Sequence, residues 1–144
     1  MTENGRAERL RIKKWLYAYR PREKELEDIG RRIVALEEKV MSPRAVQLTG
    51  MPRGGSGEDA LAAYVAKKDQ LLGMYFARKA DLLAEQAEIE EALTALESEE
   101  RHLIRCRYMD GLKWDEVCLA LGYEWAQTHR IHSRALNKLV DVRR

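Results

Sequence analysis

The sequence has few of the residues, and none of the long apolar runs, that mark secreted or membrane-spanning proteins. Its 144 residues include two Cys, three Pro and one Phe. Cys106 and Cys118 are too few and too far apart for a disulfide framework or a Cys-x-x-Cys metal site, so we expect free thiols. No apolar run approaches the ~18 residues that span a bilayer, and the N-terminal segment MTENGRAERLRIKK does not resemble a signal peptide. We therefore expect a cytoplasmic protein without a membrane partner.

The motifs of catalysis and metal binding are also missing. The sequence has no pair of nucleophile and base, no carboxylate dyad and no complete phosphate loop, since GMPRGGSG lacks the Lys and the Ser or Thr that end one. His129 and His132 are three residues apart, but together with the two Cys they match the spacing of no usual zinc finger. We predict that the protein is not an enzyme and that it binds no metal or cofactor.

The sequence is instead rich in charge and in helix-forming residues. Charged side chains make up 35% of it, with 26 Lys and Arg against 24 Asp and Glu. Ala, Leu, Glu, Lys and Arg are abundant, which is typical of long helices rather than sheets, so we predict an all-α protein. Residues 81–100 carry eight acidic side chains and no basic one, whereas residues 101–144 carry nine basic and five acidic ones. This asymmetry indicates partner surfaces of different kinds along the chain.

The N-terminal part predicts two helices, roughly 7–19 and 22–41, that share one register of apolar positions. Pro21 separates them, because proline lacks the N–H that a helix interior needs but fits a first turn. The apolar positions alternate by three and four residues, as in the seam of a coiled coil. These positions are Ile12, Trp15, Tyr19, Leu26, Ile29, Ile33, Leu36 and Val40.

Residues 42–57 break this pattern with two Pro and four Gly, and we predict a loop there. A long helix should follow from Glu58 to about Leu96 and fold back antiparallel on the first helices as a coiled-coil hairpin. Any part of its seam left uncovered would dimerise the protein. The seam positions are Leu61, Val65, Lys68, Leu72, Tyr75, Lys79, Leu82, Gln86, Ile89, Leu93 and Leu96. We therefore predict a helical coiled-coil domain over residues 1–97 and a homo-oligomer, most simply a dimer.

Residues 98–144 predict a second domain of three short helices whose ends are marked by capping residues and glycines. The first helix runs from a Ser98 N-cap to Gly111, the second from about Trp114 to Leu121 before Gly122, and the third starts near Glu124 or Trp125.

The third helix has two faces of different chemistry. Its inward face carries Thr128, Ile131, Ala135, Leu136 and Leu139. Its outward face carries Gln127, Arg130, Ser133, Arg134 and Asn137. Two helices joined by a Gly-containing turn, with a polar and cationic second helix, are the ingredients of a helix-turn-helix whose last helix enters the DNA major groove.

The run RCRYMDGLKWDEVCLALGY followed by THRIHSRALNKL resembles region four of bacterial sigma factors, and it keeps that family's spacing without a gap from Arg107 to Leu139. The coiled-coil front, the MPRGG loop and the RIHSRAL ending are also similar to the sigma-region-four-like regulators of bacteriophages, the group of RinA-type and ArpU-type late-gene regulators. This resemblance implies a phage or prophage transcriptional regulator in the cytoplasm of a bacterial host. Double-stranded DNA is its implied partner, and host RNA polymerase is a second candidate.

The resemblance also assigns candidate DNA contacts. Arg130 and Gln127 fall near the groove-entering end of the last helix, where Arg can bond to guanine and Gln to adenine. Long cations elsewhere are better suited to phosphates. The complete candidate set is Lys113, Trp125, Gln127, His129, Arg130, Ser133, Arg134 and Lys138, with Arg143 and Arg144 as further phosphate candidates.

Three positions in this region leave alternatives open. Thr128 and His132 stand where the family usually has apolar residues, so the groove-facing register is open by one residue and we expect His132 to be a half-buried spacer. Trp125 is equally suited to wedge against DNA and to pack over the second helix.

Two other functions fit the same architecture. A small terminase subunit also joins a helix-turn-helix to a coiled-coil oligomer, and it would form a ring of many subunits. A protein-binding adaptor would use the basic helix to grip RNA polymerase and would never bind DNA. Salt-sensitive binding to a duplex separates the adaptor from both DNA-binding functions, because phosphate contacts make affinity fall steeply with salt.

Overall fold

The computed structural model describes residues 2–41 and 56–144, and every regular element within them is a helix, as the composition predicts. The helices are α1 (Glu3–Tyr17), α2 (Tyr19–Met41), α3 (Ser56–Leu93), α4 (Ser98–Ile104), a π-helical turn (Arg105–Met109), α5 (Trp114–Leu121) and α6 (Trp125–Val142). Apart from its last two residues, the predicted loop 42–57 lies outside the described residues. In the described part of the chain, no helix is both long and apolar enough to cross a membrane.

The N-terminal helices separate at Ala18, three residues before Pro21. The prediction of two helices is confirmed, but the break comes earlier than expected, and Pro21 is the third residue of α2. In a first turn the missing N–H of proline leaves no helical hydrogen bond unmade. At the other end of α1, the Thr2 side chain accepts a hydrogen bond from the backbone N–H of Gly5 at 3.1 Å, which caps the helix.

The junction between α3 and α4 differs from the prediction in its capping. The helix α3 ends at Leu93, and the N-cap of α4 is Glu97 rather than Ser98, which is the first helical residue. The backbone N–H of Glu97 donates to Oε1 of Glu100 at 2.8 Å. A carboxylate three residues into the helix thus satisfies this N–H, as in a capping box, and the Ser98 hydroxyl is not needed for it.

The chain divides into two compact units, Met1–Glu23 with Leu82–Arg144, and Lys24–Asp81. This division does not follow the predicted boundary between residues 97 and 98. The reason is that α1 packs against α6 and against the π-helical turn. The last part of α3 joins the same unit, since Arg105 of the π-helical turn pairs with Glu90 at 2.6 Å.

The unit Lys24–Asp81 contains segments of α2 and α3 that run in opposite directions. Glu25 pairs with Arg78 at 2.5 Å, and Glu37 pairs with Lys68 at 3.0 Å, so the residue number falls along one segment as it rises along the other. Between these pairs lies a small buried core, with partly buried side chains packed against it. Its buried members are Ile29, Ile33 and Leu71, and the surrounding ones are Leu36, Leu72 and Tyr75.

The predicted seam of α3 is only partly buried. Leu61 is 58% exposed and Val65 is 46% exposed, whereas Leu71, which is not among the predicted seam positions, is buried. The ion pair between Glu37 and Lys68 explains why Leu61 is exposed. It sets the alignment of the two antiparallel helices, so that Met41, the last described residue of α2, lies beside about residue 64 of α3 and does not reach Leu61. Phe76 is also exposed, so among the described residues α3 carries a stripe of three exposed apolar side chains, Leu61, Val65 and Phe76.

The larger unit has the main hydrophobic core, to which α1, α3, α4, the π-helical turn, α5 and α6 all contribute. Its largest fully buried apolar side chains are Ile12, Leu16, Ile89, Leu93, Leu103, Ile104, Tyr108, Val117, Ile131, Leu136 and Leu139. Burying a side chain of this size contributes about 1.5–3 kcal/mol, so this core fixes how α5 and α6 are presented.

The turn before α5 depends on a glycine. The sequence predicts that the first helix of this region runs to Gly111, but after Ile104 the chain forms the π-helical turn instead. Gly111 has φ 73°, and a Cβ there would lie 2.7 Å from Nε of Arg20. A side chain at this position would be strained by the positive φ, and the flexible end of Arg20 would have to move aside, so glycine favours the turn into α5.

Candidate nucleic-acid interface

A three-residue connection joins α5 to α6. The helix α5 ends at Gly122, whose φ of 74° lies in the left-handed region and whose N–H donates to the carbonyl of Cys118 at 2.9 Å. Glu124 is the N-cap of α6, which begins at Trp125. These ends agree with the sequence prediction, and glycine at the end of α5 is a local signal that needs no tertiary information, whereas the Glu124 side chain makes no capping hydrogen bond.

The inward face of α6 is buried as predicted. Thr128, Ile131, Ala135, Leu136 and Leu139 are each 1% exposed or less. The Thr128 hydroxyl has no hydrogen-bond partner among the described residues, although the position is closed to solvent. The opposite face, with Arg130, Arg134 and Asn137, is exposed.

His132 is buried, and the prediction of a half-buried spacer is wrong. Its Nε2 lies 2.7 Å from the Tyr108 hydroxyl, and its ring centroid lies 4.7 Å from that of Trp114. Burial lowers the pKa of His132 to about 3, and the nearby charges of Lys13, His129, Arg9 and Arg107 add to the effect. Burial also raises the pKa of Tyr108. At neutral pH the pair is therefore an uncharged hydrogen bond inside the core.

The outward face of α6 forms a shallow depression that holds five of the eight predicted DNA contacts. It is lined by Ala126, Gln127, His129, Arg130, Ser133 and Arg134. Nη1 of Arg130 donates to Oε1 of Gln127 at 3.4 Å, so the two side chains proposed to read bases lie next to each other. Arg130 forms no ion pair with any carboxylate of the described residues, which leaves its guanidinium available to an external acceptor.

Two predicted cations on α6 are engaged by α4. Arg134 pairs with Glu99 at 2.9 Å, and Lys138 pairs with the fully buried Glu100 at 2.7 Å. Burial alone would raise the pKa of Glu100, but the hydrogen bonds from Lys138 and from the Glu97 backbone outweigh it and lower that pKa. Lys138 therefore has a structural role as the partner of a buried carboxylate. A phosphate could contact its ammonium only in competition with that carboxylate.

The remaining predicted contacts lie around the start of α6. Trp125 is 58% exposed, and its ring centroid is 4.2 Å from that of His129, which also lies 4.6 Å from Trp114. Burial, and then the charge of Lys13, lowers the pKa of His129. Its Nε2 is buried without a partner among the described residues. Lys113, the N-cap of α5, is exposed.

The side chains of the last two residues, Arg143 and Arg144, pack against α1. The guanidinium of Arg143 lies 3.7 Å above the Trp15 ring, and Arg144 pairs with Glu8 at 3.2 Å. These contacts hold the end of α6 on α1. They make both residues poorer phosphate candidates than the sequence indicates.

Arg107 has a structural role that the sequence pattern does not specify. Its Nη1 donates to the carbonyl of Leu112 at 2.9 Å, and its Nη2 donates to the Tyr17 hydroxyl at 3.2 Å. The guanidinium also lies 4.8 Å from the centroid of the Trp114 ring. Arg107 thus links α1, the turn before α5 and α5 itself, but its partner Tyr17 is 90 positions away and gives no local signal.

The described residues contain no group of three or more His, Cys, Asp or Glu side chains that could hold a metal ion. Cys106 is buried and Cys118 half-buried, both as free thiols, and burial raises the pKa of Cys106. No protein-family model, curated protein or solved structure matches this chain.

Proposed function

We propose that the protein is a DNA-binding transcriptional regulator in which α5 and α6 act as a helix-turn-helix and α6 enters the major groove. The observation that carries this proposal is the outward face of α6, where Arg130 and Gln127 lie side by side on a rigid helix. The inward face of that helix is fully buried, so the two side chains are presented without further ordering of the backbone. A role in transcription, and an origin in a phage, are suggested by the resemblance to sigma region four.

The chemistry of these two residues suits base recognition. Arg can donate two hydrogen bonds to O6 and N7 of guanine, and Gln can pair with N6 and N7 of adenine. Ser133, half-buried on the same face, can donate or accept. In this arrangement Arg130 and Gln127 read bases, while Lys113 and Arg134 contact phosphates.

The number of available cations predicts the salt dependence. Lys113 carries no described acid partner, and Arg134 would first have to release Glu99. Each phosphate contact contributes about −0.9 to the slope of log affinity against log salt, so one or two contacts at α5 and α6 give about −1 to −2. A slope near zero for the wild type would remove DNA as the principal partner.

The decisive experiment compares two arginines on one helix face. Arg130→Ala should cost about 1–3 kcal/mol on the preferred site, found by selection from random duplexes, and should flatten the preference over other sequences. Arg134→Ala removes the same side chain one turn later and should weaken all duplexes alike. If both variants weakened specific and random duplexes by the same factor, α6 would not be the reading helix.

A protein partner is favoured by a separate observation, the exposed apolar side chains Leu61, Val65 and Phe76 of α3. These three exposed apolar side chains share one side of the helix over residues 61–76, and apolar surface of this kind occurs at contacts between proteins. We propose that this stripe mediates self-association or contact with RNA polymerase. A ring of eight or more subunits in light scattering would favour a small terminase subunit, whereas a dimer would favour the regulator.

A further inference from the structure

Acidic and cationic groups border α6 on different flanks. On one flank, Glu99 and Glu100 of α4 pair with Arg134 and Lys138. On the other flank, α1 packs against α6, and its cations Lys13 and Arg9 add to the effect of burial in lowering the pKa of His132. A phosphodiester backbone alongside α6 would meet cations already paired with carboxylates on the first flank, and on the second flank Lys13, which pairs with no described carboxylate.

The helix α1 provides most of the second flank. Its orientation is fixed by Tyr17, whose ring centroid lies 4.6 Å from that of Tyr108 and whose hydroxyl accepts from Arg107. Lys13 is one turn before Tyr17 on the same face, because residues four apart in a helix are neighbours. After burial, the charge of Lys13 is the second cause of the lowered pKa of His129, which precedes Arg130 in α6.

A ridge of cations continues along this face of α1. Arg6 and Arg9 precede Lys13 by seven and four residues, the spacing of neighbouring turns on one side of a helix. Arg9 already interacts within the chain. Arg6 is exposed and Lys13 half-buried, and neither pairs with a described carboxylate. Of the two acidic side chains of α1, Glu8 pairs with Arg144, and Glu3 lies at the start of the helix, one turn before Arg6.

We infer that α1 is a second arm of the DNA interface, in which Arg6 and Lys13 bind phosphates of the backbone beside the groove that α6 enters. This inference rests on the proposed function and extends it to a helix outside the sigma-like region. It adds two phosphate contacts, so the slope expected from α5 and α6 alone becomes steeper by about 1.8. These contacts position the protein and carry no sequence preference.

The test uses two charge-matched double variants of the full chain. R6Q/K13Q removes two cations from the ridge, and R11Q/K14Q removes two exposed cations from other faces of the same helix. Binding of each to the preferred duplex and to a random duplex is measured by fluorescence anisotropy between about 50 and 200 mM salt. We expect the slope of log affinity against log salt to be shallower by about 1.8 for R6Q/K13Q than for the wild type, on both duplexes. The fourfold rise in salt should then weaken binding of the wild type by about 12-fold more than binding of the variant. R11Q/K14Q should keep the wild-type slope.

Equal slopes for the two double variants would overturn the inference, because only net charge would then matter. R6Q/K13Q could also melt at a lower temperature than the wild type. In that case the single variants K13R and R6K, which keep the charges, decide the outcome. If they retain the wild-type slope of log affinity against log salt, phosphate binding is supported, and if they lose it, phosphate binding is refuted. Failure of the proposed function is a different result, namely a wild type whose binding does not depend on salt. Protection of Lys13, but not Lys14, from acetylation by the bound duplex would give direct support, and equal protection would contradict it.

Discussion

Acidification should destabilise the protein through His132, whose ring is buried in the core beside Tyr108 and Trp114. Burial is the main reason that its pKa falls to about 3, and the cations Lys13, Arg9 and Arg107 lower it further. An unfolded histidine has a pKa of about 6.5, so below that pH the unfolded chain binds a proton that the folded chain does not. Stability is therefore lost as the pH falls from about 6.5 towards 3.

The magnitude follows from the two pKa values. Between pH 7 and pH 5 the unfolded state gains about 2 kcal/mol from protonation of this one residue, while the folded state gains almost nothing. Free carboxylates titrate mostly below pH 5 and contribute little in this window. Because His129 also has a lowered pKa, it adds a smaller loss of the same sign.

The assay is urea denaturation at pH 7 and pH 5, monitored by circular dichroism, for the wild type and for His132→Gln. The variant keeps a hydrogen-bonding side chain beside Tyr108 but does not titrate. Its free energy of unfolding should fall by about 2 kcal/mol less than that of the wild type between the two pH values. His102→Gln is the matched control, since His102 is exposed and should leave the wild-type pH dependence unchanged. Equal losses for the wild type and His132→Gln would refute the reasoning.

Three further predictions concern stability and assembly. Lys138→Ala should lower the free energy of unfolding by about 2–3 kcal/mol in urea denaturation, because it leaves Glu100 buried and unpaired. The ammonium of Lys138 is half-exposed, so the loss should be smaller than for a fully buried pair. A stability equal to that of the wild type would contradict the structural role of Lys138. Gly122→Ala should lower the melting temperature through a cost of about 1 kcal/mol at its positive φ, whereas Gly73→Ala, in the middle of α3 with open space where the new methyl group would lie, should raise it. Phe76→Asp should reduce the apparent mass in light scattering at an unchanged melting temperature, and an unchanged mass would show that the exposed stripe does not mediate self-association.

Local features of the sequence predict the helices and the faces of α6 well. The end of α5 follows from Gly122, and the inward face of α6 follows from the spacing of Ile131, Ala135 and Leu139. Each of these signals depends on backbone sterics or on the helical period, and both act over a few residues. The register of one face can therefore be read without knowing what covers it.

Features that depend on distant residues could not be predicted in this way. Lys138 resembles a surface cation in the sequence because its partner Glu100 is 38 positions earlier. Leu61 continues the apolar period of α3, yet whether it is covered depends on where α2 ends. The period shows which residues share a face, but burial depends on whether another element reaches that face. His132 shows the opposite difference: Leu61 is apolar but exposed, whereas His132 is polar but buried, because neighbours from three other helical elements enclose it.

The packing of α1 on α6 has a consequence for synthesis on the ribosome. Ile12 and Leu16 are buried in a core that also contains Ile131 and Leu136, and Arg144 reaches back 136 positions to Glu8. At about 5–20 residues per second, the first helix waits on the order of 10 s before the residues that cover it exist. During that interval its apolar face is open to chaperones or to other nascent chains. A fragment that begins at residue 98 would lack α1 altogether. The apolar surface of α6 that α1 covers in the full chain would then be exposed, so the fragment should aggregate where the full chain does not.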